Sequence, residues 1–205
     1  MVTEPGTRPL RADAQRNHDR IIAAAHDAFA ESGLETPVEE IARRAGVGAA
    51  TVYRRFPNKE LLMRAIIDAR LAELEPALAA ALSAQDPWEG LLAALRAILD
   101  IQVRNLAFLQ VLAQAGAMPH LKSELAERVM APLYELFARA QAAGELRADL
   151  EPAEVHQLIR MVAVTATEGH GCAAGPGWRR YLALLADALR TPAPSRLPPR
   201  ASGGA

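Results

Sequence analysis

The chain has a single cysteine, Cys172, in 205 residues. That excludes an intrachain disulfide and fits a reducing cytoplasm. Aromatic residues are scarce, at 4 %. No apolar run approaches the roughly 18 residues that a membrane span needs. The opening stretch, MVTEPGTRPLRADAQR, lacks the apolar core of a secretion signal. Apolar–polar alternation of strand length is missing, and so is any internal repeat. Neither sign of charge prevails, with a net charge of −1. What abounds is the apolar helix former: hydrophobic residues reach 51 % against 23 % charged, with Ala and Leu foremost. Such a composition predicts a globular all-α fold.

Residues 36–64, TPVEEIARRAGVGAATVYRRFPNKELLMR, carry the densest local signal. Thr36 before Pro37, with Glu39 three positions after Thr36, predicts a capping box with proline at the first helical position. Val38, Ile41, Ala42 and Ala45 recur at helical spacing. Gly46 stops this helix, because glycine accepts the left-handed backbone of a C-terminal cap. A second short helix is expected from about Ala49 until Pro57 ends it. Two short helices across a three- or four-residue glycine turn form a DNA-reading unit. The charges agree. Between Ile41 and Arg64 stand Arg43, Arg44, Arg54, Arg55, Lys59 and Arg64 against Glu60 alone. A basic island in a near-neutral chain is the footprint of a phosphate-binding surface. Cations that merely solvate a helix would not coincide with the turn in this way.

The run GLETPVEEIARRAGVGAATVYRRFPNKELL resembles the DNA-binding domain of the tetracycline-repressor (TetR) family of bacterial transcription regulators. The matching residues are Gly33, Ile41, Ala42, Ala45, Gly46, Val47, Thr51, Val52, Tyr53, Phe56 and Lys59, within about residues 17–66. Beyond them the match is one of helix count and length. The resemblance implies that the second short helix enters the major groove. It implies that Thr51 and Tyr53 offer hydroxyls to phosphates, that Lys59 adds a charge, and that Thr36 marks the backbone approach of the first helix. Phosphate contacts give affinity and register, not sequence. Base reading is then expected of Gly48, Ala49, Ala50 and Arg54 or Arg55. At Gly48, where the family often has a Ser cap, glycine is itself an acceptable cap. Short side chains at 48–50 limit readout there to backbone approach and contact with thymine methyls. Other readings stay open: Tyr53 as a packing residue, Arg43 and Arg44 as complements of a helix dipole, and Arg8, Arg11 and Arg16 as plain solvation rather than a groove-seeking arm.

Along the chain we expect a flexible arm over residues 1–14, a DNA-binding domain over 15–60, a helical domain over 61–190 and a disordered tail over 191–205. Helix 1 is placed at about Ala14 to Ser32. The fourth helix starts near Asn58 and is kinked or ended by Pro76. Asp86, Pro87, Trp88 and Glu89 open the next. Further helices are expected over 106–115, from Pro119 to Gly144 with Pro132 inside, over 153–167 and over 178–190.

One such unit makes few contacts, so a homodimer on double-stranded DNA is expected. The stripes Val155, Leu158, Ile159, Val162, Ala166 and Tyr181, Leu182, Leu185, Leu189 are its candidate interface, with their own domain's core as the other reading. A small-molecule effector is expected among Trp88, Leu95, Leu99, Gln102, Phe108, Leu112, Met118, His120, Met130, Tyr134, Phe137, Met161 and Thr165. Each of these also suits plain core, and Pro132 could open space by bending its helix. Glu168, His170 and Cys172 alternate, yet no CxxC or HxxxH pattern accompanies them, so neither metal nor other cofactor is expected. No orienting group or oxyanion loop supports a Cys–His nucleophile. The expectation is a cytoplasmic, ligand-responsive repressor. The alternatives are an architectural DNA-binding dimer without effector and, less favoured, an enzyme with a DNA-binding domain.

Overall fold

The computed structural model describes residues 8–104, 123–167 and 177–192, with 195 and 197; at 8–12, 104 and 165–167 it describes the backbone alone. Its helices are α1 (Arg8–Ser32), α2 (Val38–Ala45), α3 (Ala49–Arg55), α4 (Lys59–Leu82), α5 (Pro87–Arg104), a π-helical turn (Ala126–Met130), α6 (Ala131–Ala142), α7 (Pro152–Thr167) and α8 (Gly177–Leu189). Among the described residues the extended pairing is one isolated antiparallel bridge, Leu146 with Arg190, and the class is all-α as expected. The helix expected over 106–115, and Glu168, His170 and Cys172, lie outside the described residues.

Two compact units result. One takes the described residues up to 72, with 123 and 124; the other takes 73–104 and those from 125 onward. The boundary lies inside α4. Leu62, Met63, Ile66 and Ile67 are buried in the first unit, and Leu74, Leu78 and Ala81 in the second.

In the first unit Ile21, Ile22, Ala25, Ala28 and Phe29 of α1 are buried together with Ile41, Ala42, Ala45, Val52 and Phe56. The spacing of those α1 residues is one helical stripe. Helix α1 starts at Arg8, so part of the expected arm is helical. Pro9 permits this, because a first-turn N–H has no helical partner to lose. Asn58 caps α4 by accepting the Leu61 N–H at 2.9 Å.

Helix α4 does not end at Pro76 but continues to Leu82. Ala72 and Pro76 are both exposed, so the carbonyl that proline leaves without a donor faces water. Pro132 behaves otherwise. It sits in the first turn of α6, directly after the π turn, which widens the backbone where the ring would crowd the carbonyl four residues earlier.

The second unit packs α5 against α6, α7 and α8. Asp86 caps α5 as expected, accepting the Glu89 N–H at 2.9 Å. The core holds Leu91, Leu95, Leu99, Leu133, Leu136, Phe137, Val155, Ile159 and Leu182. Only about 10 Å³ remains open among the central side chains, the space of a single water at most. Described residues of the tail bond to this unit. Thr191 N–H donates to the Glu145 carbonyl at 2.8 Å, and Leu197 N–H to Asp149 Oδ2 at 3.1 Å. Arg147, buried with 6 % exposure, forks onto Asp149 at 2.6 and 2.9 Å and donates to the Ser195 carbonyl at 2.7 Å. A buried guanidinium needs such complete pairing, and the tail provides part of it.

Gly90 marks the closest approach in this unit. A Cβ there would stand 2.8 Å from the Ala81 carbonyl and 3.3 Å from the Ala84 Cβ. Gly90→Ala is therefore expected to destabilise by about 1–3 kcal/mol, because backbone must move to admit the methyl. Thermal unfolding checks this. A fall of about 2–4 °C per kcal/mol is expected for a chain of this size, and an unchanged or raised melting point refutes the close approach.

Candidate DNA-binding surface

The turn between α2 and α3 is set by Gly46, at φ 63° and ψ 38°. Its N–H donates to the Arg43 carbonyl at 3.2 Å, and that of Val47 to the Ala42 carbonyl at 3.0 Å. These two bonds form a Schellman closure. A side chain at 46 would also meet the Arg20 guanidinium at 2.5 Å. Two residues later Gly48, extended at φ −72° and ψ 145°, starts α3 without a side-chain cap.

Thr36 does not form the expected capping box. Pro37 occupies the cap position and no side chain bonds the α2 end. Thr36 is 6 % exposed, and its hydroxyl points back to the carbonyls of Gly33, at 2.7 Å, and Ala28, at 3.3 Å. These carbonyls at and just beyond the end of α1 draw the hydroxyl back toward α1 rather than to the α2 end. Thr36 thus ties the α1–α2 corner, and its side chain is not offered to a phosphate.

On α3, Ala50, Tyr53 and Arg54 share the exposed face, Ala49 and Thr51 are half-buried, and Val52 is core. Tyr53 is 47 % exposed, which removes the packing reading, and its hydroxyl donates to Glu39 at 3.3 Å. The Glu39 charge, burial and that hydrogen bond raise the tyrosine pKa, so the hydroxyl stays a donor. Arg54 has no ion pair or hydrogen bond among the described residues. Arg55 donates to His18 Nδ1 at 3.1 Å, and the His18 ring stacks on Phe56 with centroids 5.3 Å apart. Lys59 stands with Nζ 5.8 Å from the Phe29 ring centroid and 3.9 Å from Glu35.

Arg43 and Arg44 are not free cations. Glu40 accepts from Arg43 at 2.8 and 2.7 Å and from Arg44 at 2.7 Å; Arg44 also reaches Glu31 at 2.7 Å. The hydrogen bonds from the two arginines lower the Glu40 pKa to about 2. Arg44 therefore braces α2 against α1, whereas Arg43 stays on the surface. The partners Glu40 and His18 were not singled out from sequence, and Glu39 only as a capping residue. Glu40 was legible at the i,i+3 and i,i+4 spacings, and His18 lies three and four residues before Ile21 and Ile22 on the buried stripe of α1.

The second-unit candidates fall differently. Val155, Ile159, Val162, Leu182 and Leu189 are buried in this protomer's own core, and Leu158 and Leu185 are half-buried in it. Tyr181 is exposed, and the side chain of Ala166 is not described. The exposed apolar residues of these helices are Met161, Val164, Tyr181 and Leu184, at 63, 45, 41 and 57 %. Of the effector candidates, Trp88, Leu95, Leu99 and Phe137 are closed core, whereas Tyr134 and Met161 face out. Gln102 is half-buried, and its Oε1 is buried without a partner among the described residues. Met130 is half-buried. Phe108, Leu112, Met118, His120 and the Thr165 side chain lie outside the description.

The family model for bacterial regulatory proteins of the tetR family matches residues 21–66, and that for the SbtR-like transcriptional regulator C-terminal domain matches residues 86–191. The chain belongs to the TetR family. A TetR transcription regulatory protein from Mycobacterium vanbaalenii is 36 % identical with a TM-score of 0.57, covering 89 % of this chain and 99 % of that one. A TetR transcriptional regulator from Streptomyces coelicolor is 31 % identical, TM-score 0.57, covering 84 % and 98 %. The HTH-type transcriptional regulator SrpR of Pseudomonas putida is 26 % identical over 149 residues, 70 % of each chain. The TetR-family protein is thus a DNA-binding transcription regulator of a family that acts as dimers on operator DNA; the family and these relatives are regulators, not enzymes. No described helix is long and apolar enough to cross a membrane.

His18 gives the TetR-family surface a pH signature. Burial, then the Arg55 charge, lowers its pKa. The folded state thus resists a proton that the unfolded chain accepts below about pH 6.5. Stability is complete above that value and falls as pH drops through it. His156, lowered by burial and Arg160, acts in the same direction, so the comparison must be differential. Between about pH 7.5 and about pH 5.5, His18→Phe is expected to lose less melting temperature than wild type. Equal losses would exclude the Arg55–His18 contact as their source.

Proposed function

We propose that the protein is a repressor that binds a pseudo-palindromic operator as a homodimer and is released by a small molecule. The observation that carries the DNA reading is the outward face of α3, where Arg54 alone among the island's α2–α3 arginines lacks a protein partner among the described residues. Arg54 reads a guanine edge, the commonest bidentate contact in the major groove. Ala50 contacts a thymine methyl. Thr51, Tyr53, Arg43 and Lys59 hold phosphates, with Tyr53 exchanging Glu39 for a phosphate oxygen.

Operator selection from random duplexes tests this. Arg54→Ala is expected to relax preference at one base pair per half-site, by about 1–3 kcal/mol. Lys59→Ala is expected to weaken all sequences alike and to lower the salt slope by about one. An unaltered consensus with Arg54→Ala would transfer base reading to Arg55, freed from His18.

Dimerisation is supported by the outer faces of α7 and α8, where Met161, Val164, Tyr181 and Leu184 leave more apolar surface than a lone protomer favours. Two such helices from each protomer make a four-helix bundle. It would hold the recognition helices about 35 Å apart, one turn of duplex. Met161→Glu combined with Leu184→Glu is expected to sediment as a folded monomer with strongly reduced operator affinity. A variant that remains dimeric moves the interface elsewhere.

The release step is supported by Gln102, whose buried oxygen has no partner among the described residues. An effector must favour the DNA-incompetent arrangement, and a coupling of about 1–3 kcal/mol is ordinary.

A further inference from the structure

The centre of the second unit is closed, yet an open groove of about 490 Å³ runs between α5 and α8. That volume suits a small organic ligand. Leu92, Arg96 and Asp100 lie four residues apart along α5 and so form one edge of the groove. Trp178, Arg179 and Leu182 supply the other. Leu92 and Leu182 are almost wholly covered, at 8 and 3 % exposure, and form an apolar floor.

The charges at the rim are unequal. Arg179 donates to Asp100 at 3.0 Å and lies with its guanidinium 4.4 Å from the Trp178 ring centroid. It is held by two contacts at once, which fixes its plane and keeps further N–H groups free. Arg96, exposed on the same groove, has no ion pair or hydrogen bond among the described residues. Among the described lining residues two guanidinium groups stand against one carboxylate, a net of one positive charge beside an apolar floor. A cation would have to displace Arg179 from Asp100, and a polyphosphate would bring more charge than one arginine balances. We propose that this groove binds an organic monocarboxylate with an apolar body, its carboxylate between Arg96 and Arg179 and its body on Leu92 and Leu182. The proposal deepens the ligand-responsive reading, for which it supplies the effector's chemical class.

The test titrates naphthalene-2-carboxylate and octanoate into the full chain calorimetrically, beside naphthalene-2-carboxamide, which keeps the shape and loses the charge. The carboxamide is expected to bind about tenfold weaker or worse than its acid. Arg96→Ala weakens the acids to about the same degree and leaves the amide unchanged, and Arg96→Lys restores part. Asp100→Asn, which releases Arg179, tightens the acids. Equal binding of acid and amide, no effect of Arg96→Ala, or no binding of either acid at about 10 mM overturns the proposal. So does a change in sedimentation with Arg96→Ala, which would make the groove a contact between copies. Operator anisotropy separates the two readings. An acid that binds through Arg96 but leaves operator affinity unchanged supports the groove and sinks release from it. Release that survives Arg96→Ala undiminished does the reverse.

Discussion

The surface that meets DNA depends on the left-handed backbone of Gly46 beneath the Arg20 guanidinium. With that one residue turned, α2 closes with its own hydrogen bonds and α3 starts three residues later, its buried face at Val52 and its open face at Ala50, Tyr53 and Arg54. A Cβ at 46 would carry both the penalty of positive φ and a collision with Arg20. The rest of the first unit serves that turn. Thr36 ties the preceding corner, Arg44 and Glu31 fasten α2 to α1, and the stripe from Ile21 to Phe29 lies beneath.

Charge on this surface is partitioned rather than pooled. Glu40 engages Arg43 and Arg44, Glu39 engages Tyr53, and His18 engages Arg55. A group so engaged would have to exchange a protein partner for a nucleic-acid one to reach DNA. Such exchanges return only the difference between two contacts, so they contribute less than a formal count of cations suggests. Arg54 has no such partner to give up among the described residues. Affinity that comes from many phosphates and discrimination that comes from few base edges can therefore reside in different residues of one short helix.

The second unit shows how one amphipathic helix serves two surfaces. Val155, Ile159 and Val162 of α7 turn inward, where stiff side chains pack closely, and Met161 and Val164 remain outside. The same division on α8 leaves Tyr181 and Leu184 outside and Leu182 and Leu189 within. Among the described residues the centre is filled, and the open space lies at the edge of the bundle, between α5 and α8, where arginine, tryptophan and aspartate meet.

Most of the helices, the caps at Asn58 and Asp86 and the glycine turn are legible in the sequence, because these depend on neighbours within about four residues. Asp86, Asn58 and Gly46 act where their spacing places them. The sequence by itself also determined the basic island and the family pattern around it. Only the tertiary structure decided how that charge is used. The Arg55–His18 contact joins residues 37 positions apart, and Arg147 reaches Ser195 across 48. Local propensity also misjudged two places. Thr36 found acceptors in the Gly33 and Ala28 carbonyls rather than at α2, and Pro76 lay on a solvated face that tolerates it. The choice of inward stripe on α7 and α8 was likewise tertiary. Met161, Val164, Tyr181 and Leu184 leave part of each outer face apolar as well, beside charged residues such as Arg160 and Arg180.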